Sequence, residues 1–415
     1  MNLKLNRLRE TRFNTSHAGV SYDGYRATRY FAALDGLRAI SVLLVLAYHV
    51  GEPVWHWLSG ALGVAIFFVI SGFIITTMAL REEERDGAVS LRAFYVRRAC
   101  RILPLYFVVL AIYVVLGGVL NYHDGRVGIA HSLPYYLTFL NDFSPYILQP
   151  NTPFTISWTL GVEEKFYLLW PVVAFVILRR RTLARFIVAG LLVALPVVIH
   201  EAPTGYPSYL PYSQIMAGCL LALFLHYRRS FEWMTVVVRR SWIVLVAFLV
   251  IHGLMDRYGT TSVRFLYAPA VALLIASLLL CHPGWARPLR SRLLVYIGKR
   301  SYAIYLVQMI PIAGSEALAR HVFPGIHFNG TYNPVGRGAW LLSVMFFVTC
   351  TVQSIALAEM LHRLVERPMI ARGRLWTERI TGKRPITPPR LATSQDISPS
   401  FSGDEAPKLP AQPSA

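Results

Sequence analysis

Apolar residues in this chain gather into long unbroken runs instead of alternating with polar ones. Ten runs of about 15–23 residues, the length a bilayer core requires, fall at roughly 32–50, 60–80, 102–120, 157–178, 184–200, 213–227, 241–255, 263–281, 295–314 and 339–362. Each predicts a membrane-spanning helix, so the expected fold is an all-α polytopic membrane bundle. Positive charge sits on every second connection. The segments Lys4 to Arg29, Arg81 to Arg101, Arg179 to Arg185, Arg228 to Arg240, Arg287 to Arg300 and Arg363 to Arg384 are basic. The intervening connections carry only Arg126, Arg257, Arg264, Arg320 and Arg337. By the positive-inside rule both termini are cytoplasmic and the number of spans is even. The chain divides into a basic cytoplasmic segment (1–30), a membrane domain (31–370) and a cytoplasmic tail (371–415). That tail is too rich in Pro, Ser and Thr from about residue 385 to fold.

Composition agrees with this reading. The sequence is 55% hydrophobic and 15% charged, against about a quarter charged in soluble domains. A net charge of +19 raises the question of nucleic acid. The arginines lie between apolar runs, however, which fits anionic membrane lipids and no nucleic acid. Cys100, Cys219, Cys281 and Cys350 have no metal-ligand spacing and read as free thiols, with no metal expected. No cleavable signal peptide, internal repeat or appended soluble domain is expected.

Four clusters carry candidate chemistry. In the first run, Asp35, Arg38 and His49 fall on one helix face, with Arg38 and His49 roughly 16 Å apart along the axis. Ionisable groups in hydrocarbon are costly, which makes them functional candidates. An ion pair of Asp35 with a snorkelling Arg38 is the equally weighted alternative. Before the third run, Arg98 and Arg101 share a face and Arg97 nearly joins them. Such guanidiniums grip phosphate, or they simply anchor the cytoplasmic edge. The preceding stretch, Arg81 to Asp86, reads as a solvated charged helix. Opening the fourth run, Glu163 shares a face with Tyr167 and Trp170 and is preferred over Glu164, since neighbouring helix positions point about 100° apart. At the end of the last run, Glu366 is expected to pair with an arginine of the basic loops. The aromatic and polar residues of 121–156 and 201–212 suit a carbohydrate surface, although an interfacial aromatic belt explains them more simply.

Together these residues resemble the acyltransferase 3 family of membrane acyltransferases. The resemblance runs from about residue 31 to 370. It is carried by Leu34 to Ala39, the Arg38/His49 pair, Phe67 to Phe73, Tyr95 to Pro104, Ser157 to Pro171 and Glu366-Arg367-Pro368. It implies a ten-helix enzyme of the bacterial plasma membrane. Such an enzyme takes an acyl group, usually acetyl, from cytosolic acyl-CoA as co-substrate, with no permanently bound cofactor. The acceptor is a hydroxyl of a carbohydrate or glycoconjugate at the outer face. Carried over onto this chain, His49 and Glu163 are catalytic and Arg38, Arg97, Arg98 and Arg101 bind acyl-CoA. Asp35, Ser71, Tyr167 and Glu366 support them. Help in delivering the acyl group is internal or comes from a partner, and an oligomer is possible. Two other readings remain: a transporter or flippase of glycans or lipid-linked sugars, and a non-catalytic scaffold.

Overall fold

The computed structural model describes residues 19–50, 58–60, 62–119, 125–143, 154–198, 210–258, 261–322, 327–328, 334–335 and 339–382. The described body lies within Met1–Pro385 and is built from helices. In chain order they are α1 (Tyr22–Ala27), α2 (Ala32–Val50), α3 (Leu62–Asp86), α4 (Leu91–Tyr113), α5 (Gly125–Leu137), α6 (Trp158–Val172), α7 (Thr182–Val198) and α8 (Leu210–His226). There follow α9 (Arg228–Val237), α10 (Ser241–Tyr258), α11 (Thr261–Leu280), α12 (Arg292–Lys299), α13 (Ser301–Val307), α14 (Met309–Val322), α15 (Ala339–Leu361) and α16 (Arg367–Thr381). A ladder of two residues per strand, His327–Phe328 with Pro334–Val335, is the sole pairing among the described residues.

Every predicted apolar run falls on a helix, and the protein is an all-α polytopic membrane bundle. Four helices are long and apolar enough to cross a bilayer unaided: Ala32–Val50, Leu62–Asp86, Leu91–Gly117 and Trp340–Thr381. The number reaches 7 if three bent helix pairs each make one span. The remaining runs fall short for visible reasons. α6 carries Glu163, Glu164 and Lys165 in its interior, and the apolar parts of α7 and α10 are short, Thr182–Leu195 and Ser241–Met255.

Element boundaries move in ways that matter for the site. α4 starts at Leu91, capped by the Ser90 hydroxyl accepting from the Ala93 amide. The basic cluster is therefore part of this long helix and does not precede it. α3 continues to Asp86, and its charged end is not simply solvated. Successive helix positions radiate around the axis, so each charge meets a different neighbour. Arg81 donates to the carbonyls of Thr28 (2.7 Å) and Tyr25 (3.1 Å). Glu82 takes Arg97 (2.9 Å), Glu83 takes Arg185 through two 2.7 Å bonds, and Glu84 pairs with Arg26. Helix also crosses the boundary expected at residue 371. α16 runs to Thr381 and packs on α4, where a Cβ at Gly373 would meet Cys100 Cβ at 2.7 Å. α1 docks through Tyr25, which is 2% exposed. Residues 121–124, 144–153 and 201–209 of the outward connections, and residues beyond 382, lie outside the described residues.

Four close backbone approaches set the frame. A Cβ at Gly72 of α3 would collide with the Ile215 carbonyl of α8, and one at Gly218 of α8 with the Val69 carbonyl of α3. Likewise Gly36 of α2 abuts the Leu289 carbonyl, and Gly298 of α12 abuts the Asp35 carbonyl. Lipid offers no hydrophobic drive for helix association, so close approach at small residues supplies the dispersion that holds helices together. These contacts place α12 beside the start of α2 and turn the face carrying Phe67 and Ser71 inward.

Candidate active site

Three helices are stitched together where the polar residues of the spans converge. Trp170 Nε1 of α6 donates to Thr76 Oγ1 of α3 (2.9 Å). Tyr95 OH of α4 donates to the Leu168 carbonyl of α6 (2.9 Å). Between these ties, Glu163 is clamped at both ends. Its Oε1 accepts from Ser71 Oγ (3.1 Å) and its Oε2 from Tyr167 OH (2.7 Å). The shared face read from the sequence, Glu163 with Tyr167 one turn on, is present. With each oxygen already taking a hydroxyl donor, Glu163 braces α3 to α6.

Around that carboxylate stand three guanidiniums. Arg38 of α2 lies near Arg101, Asp35, Glu163 and the Tyr167 hydroxyl. Arg98 of α4 faces Tyr167, Arg101, Glu163 and Arg97. Arg38 lies 6.0 Å from the Phe67 ring centroid, and Arg98 lies 5.4 Å from Tyr167 and 5.8 Å from Phe94. Aromatic faces hold a cation by its positive charge while leaving the N–H edges free. None of Arg38, Arg98 and Arg101 makes a hydrogen bond or ion pair among the described residues, and all are only partly buried. Elsewhere the chain pairs its buried arginines with care, as at Arg185 and Glu83. An unpaired trio of forked donors is what a phosphate or carboxylate ligand requires.

Other expected residues are placed differently. Arg97 is turned to Glu82. Asp35 makes no ion pair with Arg38; it accepts from Tyr30 OH (2.6 Å). Burial pushes the Tyr30 hydroxyl above its ordinary range, and the bond to Asp35 and its charge act in the same direction, so Tyr30 stays a neutral donor. Glu366, 3% exposed, is held by His362 Nδ1 (2.8 Å) across the π-helical turn His362–Glu366. The arginine expected as its partner is replaced by an imidazole four residues away. Lys165, which precedes Phe166 in the same cluster, leaves the site to pair with Asp142. Glu164 was set aside in favour of its neighbour, yet it also faces Arg98, and its buried Oε1 has no partner.

His49 sits apart from the guanidiniums on the same helix, about 16 Å along it. Its Nδ1 lies 2.7 Å from the Val45 carbonyl oxygen. A carbonyl only accepts, so Nδ1 carries the proton and Nε2 is the lone-pair nitrogen in the neutral ring. Nε2 has no hydrogen-bond partner among the described residues. The ring is wedged edge-on against Tyr48, centroids 5.3 Å apart. Missed by sequence reasoning were the braces Phe67, Phe94, Tyr30 and Glu82. Only the aromatic content of the 67–73 and 94–104 segments hinted at the first two.

Comparison with known proteins bears on this arrangement. The sequence profile of the family described as "Acyltransferase domain" matches residues 31–359. The Bacillus subtilis protein named "Putative peptidoglycan O-acetyltransferase YrhL" is 29% identical over 384 residues, covering 83% of this chain and 56% of that protein. "Peptidoglycan O-acetyltransferase OatA" of Listeria monocytogenes is 28% identical over 312 residues, 67% of this chain and 49% of its own. A Staphylococcus aureus protein named "Putative O-acetyltransferase" is 27% identical over 382 residues, 84% and 59% respectively. The chain thus spans little more than half the length of the curated relatives it matches. No solved structure matches it. The family match covers the guanidinium trio, the clamped glutamate and the histidine-bearing helix alike, and the chain belongs to this acyltransferase family of membrane proteins.

Proposed function

We propose that the protein is a membrane O-acetyltransferase of the plasma membrane, with both termini cytoplasmic. It moves an acyl group, acetyl foremost, from cytosolic acyl-CoA to a hydroxyl of a carbohydrate or glycoconjugate at the outer face. The observation that carries this reading is the trio Arg38, Arg98 and Arg101, three partly buried guanidiniums that make no hydrogen bond or ion pair among the described residues. Acyl-CoA brings several phosphates, and each forked guanidinium takes a phosphate through parallel N–H bonds. Glu163, fixed by Ser71 and Tyr167, lies near Arg38 and Arg98 and offsets part of their repulsion. The relatives named for peptidoglycan O-acetylation support a glycan acceptor.

His49 is the base. With Nδ1–H held by the Val45 carbonyl, Nε2 takes the proton of the acceptor hydroxyl as the oxygen attacks the thioester carbon. The C–S bond breaks, and the thiolate leaves with a proton. A transient acyl group on Nε2 is the two-step version of the same transfer. The test is acyl transfer from radiolabelled acetyl-CoA by the purified protein in proteoliposomes. Label on a glycan acceptor with release of free CoA supports the enzyme. Glycan crossing the membrane with no CoA released would identify a flippase and overturn the proposal.

A further inference from the structure

Among the buried polar groups of the broken span α13–α14, the Ser301 hydroxyl and the Gln308 carboxamide are left without partners, and only the carboxamide is large. Tyr302 OH donates to the Ile102 carbonyl (3.0 Å), Tyr305 OH to the Ile156 carbonyl (2.7 Å), and Ser315 Oγ to Gln353 Oε1 (2.9 Å). Gln308 lies at the 46° break between the two helices. It is 0% exposed, and neither its Nε2 nor its Oε1 has a hydrogen-bond partner. An unpaired carboxamide within a membrane bundle is costly, and such groups in native structures call for an explanation. A hydroxyl in a helix can rotate onto a nearby carbonyl; a glutamine amide at a fully packed position cannot so easily do so.

Its depth is informative. Ile102 follows Arg101 directly, so Tyr302 stands level with the guanidiniums, while the Leu306 carbonyl accepts from Tyr113 (3.4 Å), far along the same helix α4. α13 therefore climbs away from the guanidiniums, and Gln308 lies about 9 Å beyond Tyr302 along the axis. α13 and α14 both pack against α2, the helix of His49. Gln308 thus occupies an intermediate depth on the route of about 16 Å between Arg38 and His49.

We propose that Gln308 is a contact for a secondary amide of a bound substrate. Its Nε2–H donates to the amide carbonyl and its Oε1 accepts from the amide N–H, so both unpaired atoms are matched by one group. The inference rests on the acyltransferase reading above, which supplies two sources of that chemistry. One is the pantetheine arm of acyl-CoA, whose secondary amides lie between the phosphates and the thioester. The other is the N-acetyl group of an amino-sugar acceptor.

The experiment uses the full chain in detergent and the variant Gln308→Leu, similar in size and without the amide. Binding of CoA is compared with binding of 3′,5′-ADP, which has the phosphates and no arm. Donor recognition predicts that the Kd for CoA rises about tenfold in the variant, the loss of a matched amide pair, while that for 3′,5′-ADP is unchanged. Acceptor recognition predicts unchanged CoA binding, with KM raised about tenfold for an N-acetylglucosamine oligomer and unaltered for a glucose oligomer of equal length. If neither quantity moves while the melting temperature rises, the amide is merely structural and the proposal is overturned. Should Gln308→Leu fail to fold, Gln308→Asn, which withdraws the amide by one methylene, carries the same comparison. A wild-type protein that binds neither CoA nor 3′,5′-ADP would overturn the acyltransferase reading and this subsite together; normal wild-type binding with an indifferent Gln308→Leu overturns the subsite alone.

Discussion

Removing one guanidinium from the trio should raise stability and lower donor affinity together, a combination that a structural arginine does not give. Arg101→Met keeps much of the apolar stem and deletes a charge that no carboxylate or hydrogen bond holds. It also removes repulsion with Arg38 and Arg98, on the order of 1 kcal/mol for like charges at intermediate dielectric. The melting temperature without donor should then rise by about 1–3 °C. Affinity for CoA should fall about 10–150-fold, the loss of about 1.5–3 kcal/mol in charge-assisted hydrogen bonds. Arg185→Met is the control. That guanidinium is 2% exposed and bound twice to Glu83. Breaking a buried pair leaves a lone carboxylate and costs about 3–5 kcal/mol, so the melting temperature should drop while CoA affinity in the folded fraction is kept. Both can be read with a thiol-reactive dye, because Cys100, Cys219 and Cys350 are buried and free and react as the bundle opens. If Arg101→Met melted as far below wild type as Arg185→Met, its charge would be compensated in the native protein, and the trio could not be a waiting anion site.

His49→Ala should lower acyl transfer about 10²–10⁴-fold with CoA affinity unchanged, checked by radiolabel transfer beside equilibrium binding. Equal losses in binding and turnover would place His49 with the donor and not with proton transfer. Glu163→Gln sets an amide N–H₂ group against a hydroxyl donor from Ser71 or Tyr167; it should cost about 1–3 kcal/mol of stability and lower turnover, whereas Tyr167→Phe should cost less. Gly218→Val drives a side chain into the Val69 carbonyl and should abolish recovery of monodisperse protein by size exclusion, with Gly253→Val, where nothing lies within 4 Å, tolerated.

The helices were legible because hydrocarbon forces long apolar runs, and Glu163 with Tyr167 was legible because helical spacing alone puts them on one face. What pairs across helices was not. The run Arg81 to Asp86 looks like one solvated patch in sequence, but Glu82, Glu83 and Glu84 each reach a different element. Only the packing of α3 against α4, α7 and α1 decides this. Arg97 and Arg98 are adjacent and chemically identical. They part company because about 100° of helix rotation sends one to Glu82 and the other to Tyr167. Glu366 takes His362, its i−4 neighbour on the same helix face, in place of an arginine of the basic loops, a pairing that helical spacing already offered.

The groups left without partners are the strongest pointer to where ligands go, once those that satisfy themselves easily are set aside. Several buried atoms lacking partners are hydroxyls, as at Thr77, Ser277, Ser343 and Ser354, and a hydroxyl on a helix needs only a rotation to find a carbonyl. Guanidiniums and a carboxamide have no such recourse. The same bundle brings backbones into contact at Gly72 and Gly218 and pairs Tyr302 and Tyr305 on either side of the site, so loose packing does not explain the omissions. Arg98 and Arg101 at one level, Glu164 Oε1 beside them and Gln308 further along line up toward the helix end that carries His49. Groups that lower stability in the unliganded protein persist where a ligand repays them, and a ligand with anions at one end and amides along its length would meet the guanidiniums first and Gln308 beyond them.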